Sequence, residues 1–451
     1  MNVIIVGCGR VGMTLAEKLN DDGNAVTVVD MLSAKVNEIT QKIDVMGVVG
    51  NGATQTTLIE AGIKDADLFI AVTNSDELNL LCCMIAKKEG DCQTIARLKN
   101  PQYSEEAEYL RRELGLAMVI NPEYAAAQEI ARVLHFPSAI KIEPFAKGNV
   151  ELIKFRLPKD SVLIGMSVKD VIMKYHANVL VCTIERGEEA YIANGDFVFA
   201  EKDVVSIVAT VKNANDFFVK IQCKGHSVKN VLVAGGGVIT HYLCDILQKS
   251  GISLKIVEKD EKLCEQLAAD FPKYTVICGK PSDRELLLEE GVKQADAFVS
   301  LSNLDEENVL LSLFAREVNG GKIVTKINRT DYDSILKKLD LDTVVTPRIV
   351  TADSILRYVR ATKDAQGSNI ETLYNIIEGK VEATEFIVKD NAPLINIPLW
   401  QLNFKENVLV ASIFRNGNAI IPHGNDVILP GDAVVVVTKT VGLSDIADVL
   451  R

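Results

Sequence analysis

The chain carries one layout twice. Val3-Ile4-Ile5-Val6 runs into Gly7-Cys8-Gly9-Arg10-Val11-Gly12 and on to Asp30, and Val231-Leu232-Val233-Ala234 runs into Gly235-Gly236-Gly237-Val238-Ile239-Thr240 and on to Glu258. Gly235 follows Gly7 by 228 positions, as Glu258 follows Asp30. After a one-residue insertion the interval is 229 for Gly50 and Gly279, Asp67 and Asp296, Asn74 and Asn303, and Arg97 and Lys326; it is 229 again for Gly195 and Gly424 and for Asp203 and Asp432. A period of this length exceeds that of stacked solenoids and marks duplication of a multi-part unit. Any fold proposed for one half must therefore serve for both.

Within the first half, Val3 to Val6, Ala25 to Val29, Val45 to Val49, Leu68 to Val72 and Thr94 to Leu98 read as strands, separated by amphipathic stretches over 11–20, 33–42, 54–61 and 77–88. Continuous apolar strands joined by helices predict a parallel sheet covered on both faces. Helix-like runs follow at 123–134 and 348–359, each with a proline in the first turn, where its missing donor costs little. Beyond them, glycine-punctuated strands at 152–156, 179–185, 196–198 and 204–209, with a helix near 168–175, have counterparts at 385–388, 408–415, 426–428 and 433–439. The expected fold class is α/β: two tandem Rossmann-like doubly wound parallel-sheet domains, 1–134 and 229–360, each followed by a small α+β domain, 135–221 and 370–451. Gln222 to Lys229 reads as the linker between halves.

Composition narrows the function. In 451 residues, 48% hydrophobic and 24% charged, no stretch approaches the roughly 20 uncharged apolar residues of a membrane-spanning helix. Met1-Asn2 runs straight into a strand with no basic leader, which predicts a cytoplasmic location. Nine cysteines, an odd number with no C-x-x-C pair, read as structural thiols of a reducing compartment. The five histidines are dispersed, which argues against a transition-metal site. A net charge of -12 argues against nucleic acid and against adhesion to anionic lipid, so membrane association requires a protein partner.

A lone G-x-G-x-x-G is a weak signal, but here it follows a strand, opens a helix and is trailed by an acid, the context of a dinucleotide fingerprint. Gly7 permits the turn, Gly9 lets the backbone approach a pyrophosphate, Gly12 allows close helix packing, and the helix start offers free N–H groups to phosphate. Asp30 can accept from both ribose hydroxyls and would repel a 2'-phosphate, favouring NAD(H) or an adenine nucleotide over NADP(H). The plain alternative is a glycine turn used only for packing. In the second copy Thr240 replaces the third glycine, while Gly235, Gly237 and Glu258 keep the essentials. Thr73-Asn74-Ser75 and Arg97 fall at carboxyl edges of strands where they could meet a ligand, and Arg10 could pair with phosphate; ordinary loop polarity is the alternative. Asp76-Glu77 and Asp305-Glu306 read as helix-start acids, with a divalent-cation role as the other reading.

This combination resembles the TrkA family of Trk potassium-uptake regulators, whose halves are each a domain that regulates potassium conductance. The most specific elements are Val3 to Gly12 with Asp30, Gly50-Asn51-Gly52-Ala53-Thr54, Ala71 to Glu77, and Ala96-Arg97; the family usually has Asp where Asn51 stands. The resemblance implies a regulator without chemistry of its own. It would form a cytoplasmic homo-oligomeric ring, a tetramer of tandem-domain chains, peripheral on the inner face of the membrane beneath a membrane-embedded Trk potassium-translocating subunit. It also implies binding of NAD(H) or ATP/ADP, with Gly7, Cys8, Gly9, Arg10, Val11, Gly12, Asp30, Thr73, Asn74 and Arg97 lining the first site. Gly235, Gly236, Gly237, Val238, Ile239, Glu258 and Ser302, with Asn303 beside it, would line the second. Two rival readings are an NAD-dependent dehydrogenase and a regulator of a different ion transporter built from the same domains.

Overall fold

The computed structural model describes the chain except residues 102, 104–105, 137–138, 147–148, 188, 223–227, 330–335, 337–338, 340, 365–369, 378–379, 440–442 and 444. β1 (Asn2–Val6), β2 (Ala25–Asp30), β3 (Met46–Val49), β4 (Leu68–Ala71), β5 (Gln93–Arg97) and β6 (Met118–Ile120) form a parallel sheet in the order 3-2-1-4-5-6. The antiparallel sheet that follows, β7 (Ala139–Phe145), β8 (Val150–Arg156), β9 (Leu180–Arg186), β10 (Glu189–Ile192) and β11 (Val204–Ala209), has the order 10-9-11-8-7. β12 (Asn230–Ala234), β13 (Ser253–Glu258), β14 (Thr275–Cys278), β15 (Ala297–Ser300), β16 (Lys322–Lys326) and β17 (Thr343–Val345) repeat the first sheet. β18 (Ile370–Ile377), β19 (Val381–Ile387), β20 (Val408–Arg415), β21 (Asn418–Ile420) and β22 (Ala433–Thr438) repeat the second, in the order 18-19-22-20-21. β4 is buried at every position and β1 at all but its first, as strands covered on both faces must be. Strand order reverses between β1 and β4, which opens the crevice in which doubly wound folds bind ligands.

Two segments read as strands are not strands. Residues 196–198 and 426–428 make only isolated bridges, through Val198, Val427 and Ile428. Their neighbourhood spends its carbonyls elsewhere: Gly195 and Phe197 accept from Lys169 N and Val168 N at 2.9 and 3.0 Å, and Gly424 and Asp426 accept from Trp400 N and Leu399 N, both at 3.0 Å. The helix Val168–Tyr175, capped by Ser167, shrinks to a 3-10 turn, Leu399–Gln401, in the second copy and leaves the lone Trp400 65% exposed. β7 escapes the sequence patterns because Lys141, Glu143 and Pro144 break its apolar run, which an edge strand tolerates. Most of the expected linker, 223–227, lies outside the described residues.

The halves interlock through the helices that leave each parallel sheet. The helix Pro122–His135 is capped by Asn121, whose Oδ1 accepts from Tyr124 N at 2.9 Å, and has Pro in its first turn. It buries Ala126, Ala127, Ile130, Ala131 and Leu134 in the same core as Val231, Val233, Leu243 and Leu247 of the second parallel domain. Reciprocally, Ala352, Ile355 and Val359 of the helix Pro347–Asp364 enter the core of Val3, Ile5, Leu15 and Leu19. Each fully buried aliphatic side chain contributes roughly 1.5–3 kcal/mol. The two antiparallel sheets face one another, with Phe145, Leu152 and Val208 against Tyr374, Val381 and Val435. Polar ties secure the exchange: Lys18 to Asp353, Arg360 to Asp22 at 2.6 Å, Asn121 Nδ2 to Tyr242 Oη at 2.8 Å, and Tyr374 Oη to the Pro144 carbonyl at 2.8 Å. The result is a pseudo-twofold dimer within one chain.

A cavity of about 640 Å³ lies beside the two exchanged helices, with Glu129, Arg132, Lys141, Glu143, Asp353 and Arg357 among its walls. Burial pushes the Glu129 carboxyl up to about 7; Lys141 and Arg132 oppose the rise, and Glu143 and Asp353 add to it.

Candidate nucleotide site

Gly7 sits at φ +106°, and a Cβ there would lie 2.9 Å from the Val72 carbonyl and the Thr73 nitrogen. Gly12 is required by contact instead: its Cβ would stand 1.9 Å from the Gly7 carbonyl oxygen. Gly9 is different. Its φ is -76°, open to any residue, and no protein atom lies within 4 Å of where its Cβ would be. Nothing in the chain demands glycine there, and the backbone is left open to approach from outside. Gly9 also opens the helix Arg10–Asp21 without a side-chain cap, so first-turn N–H groups have no intrahelical acceptor and face the place a diphosphate would occupy. Arg10, exposed at the first helical position, adds a cation.

Asp30 closes β2 at the other side of the crevice. Its Oδ2 accepts from Cys8 N at 2.8 Å and its Oδ1 from Leu32 N at 3.0 Å. A carboxylate offers about four lone-pair sites, so two remain for ribose hydroxyls. Lys35 Nζ stands 3.9 Å away. The cleft here measures about 280 Å³, with Gly7, Gly9, Asp30, Lys35, Thr73 and Asn74 in its walls and Met31, Leu32 and Gly50-Asn51-Gly52 at the side where an adenine would lie. The Cys8 thiol is pushed up to about 12, by burial first and by Asp30 next, and stays inert; Cys8 serves through its N–H.

The second copy keeps this plan with four changes, two of them linked. Gly237 repeats the open position of Gly9. Glu258, one methylene longer than Asp30, folds back so that Oε2 accepts from Gly236 N at 2.6 Å and Oε1 from Lys259 N and Asp260 N at 2.8 and 3.0 Å. That posture explains Gly236 in place of Cys8: a Cβ there would meet Glu258 Cβ and Cγ at 2.9 Å. Thr240 is fully buried and its Oγ1 donates to the Gly235 carbonyl at 2.6 Å, filling the space that Gly12 leaves for direct contact. With three acceptor positions used and Val238 where Arg10 stands, this cleft has less to offer a ribose and a phosphate.

Asn79 and Asn308 organise the far wall and have no counterpart among the residues singled out from sequence. Asn79 Oδ1 accepts from Thr73 N and Thr73 Oγ1, both at 2.7 Å, while Nδ2 donates to the Arg97 carbonyl at 2.9 Å. Asn308 does the same between Ser302 N, at 2.8 Å, and the Lys326 carbonyl, at 3.0 Å. Two asparagines 229 residues apart, each three positions after a helix-start acid, were the available signal. The helix-start acids likewise fix loops: Asp76 Oδ2 accepts from Lys99 N and Asn100 N at 3.0 and 2.9 Å, and Asp305 from Asn328 N and Arg329 N at 2.9 and 2.8 Å.

Arg97 turns toward the exchanged helix. Its Nη2 donates to Glu123 Oε1 at 3.2 Å, and buried Arg97 Nε and Glu123 Oε2 have no hydrogen-bond partner among the described residues. Glu123 also acts electrostatically on Lys326 of the other half, whose ammonium is depressed by burial, with Asp305 and then Glu123 opposing. One carboxylate thus lies between the two cations that end β5 and β16.

A duplicated parallel domain with a fingerprint cleft, each copy followed by a small antiparallel domain, defines a tandem Rossmann-like architecture. The TrkA-N domain profile matches residues 3–122 and 231–347, and the TrkA-C domain profile matches 152–222 and 383–451. The chain belongs to the TrkA family. It is 30% identical over 451 residues to the Trk system potassium uptake protein TrkA homolog of Archaeoglobus fulgidus, covering 100% of both chains. It is 27% identical to the Trk system potassium uptake protein TrkA of Haemophilus influenzae, covering 97% of this chain and 95% of that one. In fold it is similar to the GsuK channel bound to NAD, with a TM-score of 0.65 at 15% identity over 97% of this chain and 77% of that one. No helix among the described residues is long and apolar enough to cross a membrane.

Proposed function

We propose that the protein is the nucleotide-sensing regulatory subunit of a Trk-type potassium uptake transporter, binding NAD(H) at the first cleft and gating a membrane-embedded potassium-translocating subunit. The observation that carries the nucleotide reading is Gly9, a glycine with ordinary φ and open space above it at an uncapped helix start, facing an aspartate with acceptor capacity left. The Asp30 charge favours a free 2'-hydroxyl, and an adenine nucleotide such as ATP or ADP satisfies the same half of the cleft. A structure similar in fold is of GsuK bound to ADP, with a TM-score of 0.51 at 15% identity over 80% of this chain and 69% of that one. The second cleft binds more weakly, through Gly235 to Ile239, Glu258 and Ser302.

Oligomerisation into a ring suits the surface. Leu81 and Met84 are 46% and 51% exposed on the helix Asp76–Glu89, and Leu310, the duplicate of Leu81, is 67% exposed on Asp305–Val318. Gating requires a ligand with different affinities for two states. Phosphate competing for Arg97 would release Glu123, which begins the helix packed into the other half. The site would then act on the relation between halves through a coupling on the order of 1–3 kcal/mol.

The test is purification with the membrane transporter and potassium flux measured with NAD, NADH, ATP and ADP, on wild type and Arg97→Ala. The variant is expected to lose nucleotide dependence of flux. Unchanged affinity and unchanged flux together would refute the role of Arg97, and reduction of NAD with any of a panel of metabolites would favour the dehydrogenase reading.

A further inference from the structure

Two cysteines meet at the rim of the second cleft. Cys264, in the first turn of the helix Glu261–Asp270, donates its thiol to the Glu258 carbonyl at 3.3 Å. Cys278 ends β14 directly opposite Glu258 in the parallel register, so both cysteines adjoin the same residue. Cys264 is buried and Cys278 exposed. The equivalent positions of the first half are Val36 and Val49, the latter also opposite the β2 carboxylate residue, Asp30. Both positions are therefore thiols in the second copy and aliphatic in the first. The other described cysteines are buried, so Cys278 is the one among them that a solvent-borne reagent meets.

We propose that Cys264 and Cys278 are a reversible dithiol–disulfide pair that sets the geometry of the second cleft according to the thiol redox poise. The oxidant is a low-molecular-weight disulfide. The exposed Cys278 thiolate attacks one sulfur of that disulfide, forming a mixed disulfide and expelling one thiolate. Cys264 then loses its proton to solvent, its sulfur attacks Cys278 Sγ, and the second small thiolate leaves. Two protein thiols are oxidised, one small disulfide is reduced to two thiols, and the new bond joins two residues that both adjoin Glu258. Burial, with Cys278 next, pushes the Cys264 thiol up, which leaves the exposed Cys278 as the sulfur that meets the small disulfide first. The disulfide ties the first turn after β13 to the end of β14 around Glu258, whose carboxylate faces Gly236. The redox pair stands by itself; its effect on nucleotide rests on the proposed second site.

The experiment uses the full chain carrying Cys223→Ser, equilibrated in glutathione buffers from fully reduced to fully oxidised, quenched in acid, alkylated, digested and read by mass spectrometry. The expected result is one cross-linked peptide pair, Cys264 with Cys278, reversed by dithiothreitol, and a persistent glutathione adduct on Cys278 in Cys264→Ser. A pair that stays unlinked at every ratio, or links no more readily than the buried cysteines, overturns the proposal. Nucleotide affinity is then measured by calorimetry on oxidised and reduced protein carrying Gly9→Val, which closes the first cleft. A change of threefold or more supports the coupling. Equal affinities overturn the coupling, whereas no binding to either form overturns the second nucleotide site and leaves the mass-spectrometric result to stand separately.

Discussion

Replacing Glu129 by glutamine should make the protein more stable at pH 8 and leave it unchanged near pH 4. The carboxyl titrates at about 7 in the fold and at 4.5 ordinarily, because it faces the cavity beside the exchanged helices and ionising it there is costly. Below 4.5 both folded and unfolded chains hold the proton. Between 4.5 and 7 only the folded chain holds it, so stability falls as pH rises, and above 7 the folded protein carries the whole penalty. A displacement of about 2.5 pH units corresponds to about 3 kcal/mol; the carboxyl is only partly shielded from solvent, which leaves about 1–3 kcal/mol. Spread over 451 residues, this moves a melting temperature by about 1–3 °C. The assay is calorimetric melting of wild type and Glu129→Gln at half-unit steps from pH 4 to 8. Lys141, Glu143, Arg132 and Asp353 act on the same carboxyl and remain in both proteins. A difference in melting temperature that is constant across the range, or largest at low pH, would refute the reasoning.

Asp30→Ala removes the acceptor for ribose, and about 1.5–3 kcal/mol of charged hydrogen bonding is expected to appear as roughly 10- to 150-fold weaker NADH binding in calorimetry. Gly12→Ala places a methyl 1.9 Å from the Gly7 carbonyl oxygen and should destabilise by about 1–3 kcal/mol in denaturant unfolding, whereas Thr240→Ala at the matching position loses one hydrogen bond and about 1 kcal/mol. Asp432→Ala should cost about 2–4 kcal/mol by the same measurement. Its fully buried carboxylate accepts from Arg415 Nε and Nη2 at 2.8 and 2.7 Å and from Leu429 N at 2.7 Å, and Asp203 with Arg186 and Ala200 N repeats the arrangement.

The parallel domains were legible because their central strands are apolar at nearly every position and the glycines fall where turn and contact require them. Asp203 and Asp432 stood out as equally spaced landmarks, although their partners Arg186 and Arg415 carry no local signal. The three-residue strands β6 and β17 are too short for periodicity to register. Residues 196–198 and 426–428 have strand-like composition, but backbone pairing across the small domain decides their fate. At the site, the glycines and acids belong to one short motif and could be read together. Asn79, Lys35 and the Arg97–Glu123 pair are joined only by folding, and Glu123 answers to a lysine of the other half.

The exchange of helices between halves has a consequence for how the two clefts can differ. A protein that pairs with an identical copy must carry every substitution twice, so a threonine at the glycine contact or a cysteine beside the acid would alter both clefts at once. Joining the partners in one polypeptide lifts that constraint while the crossed helices preserve their mutual fit. Gly12 and Thr240, Asp30 and Glu258, and Val36 and Cys264 are the divergence that such a fusion permits, and they give one molecule two unlike clefts on interlocked cores.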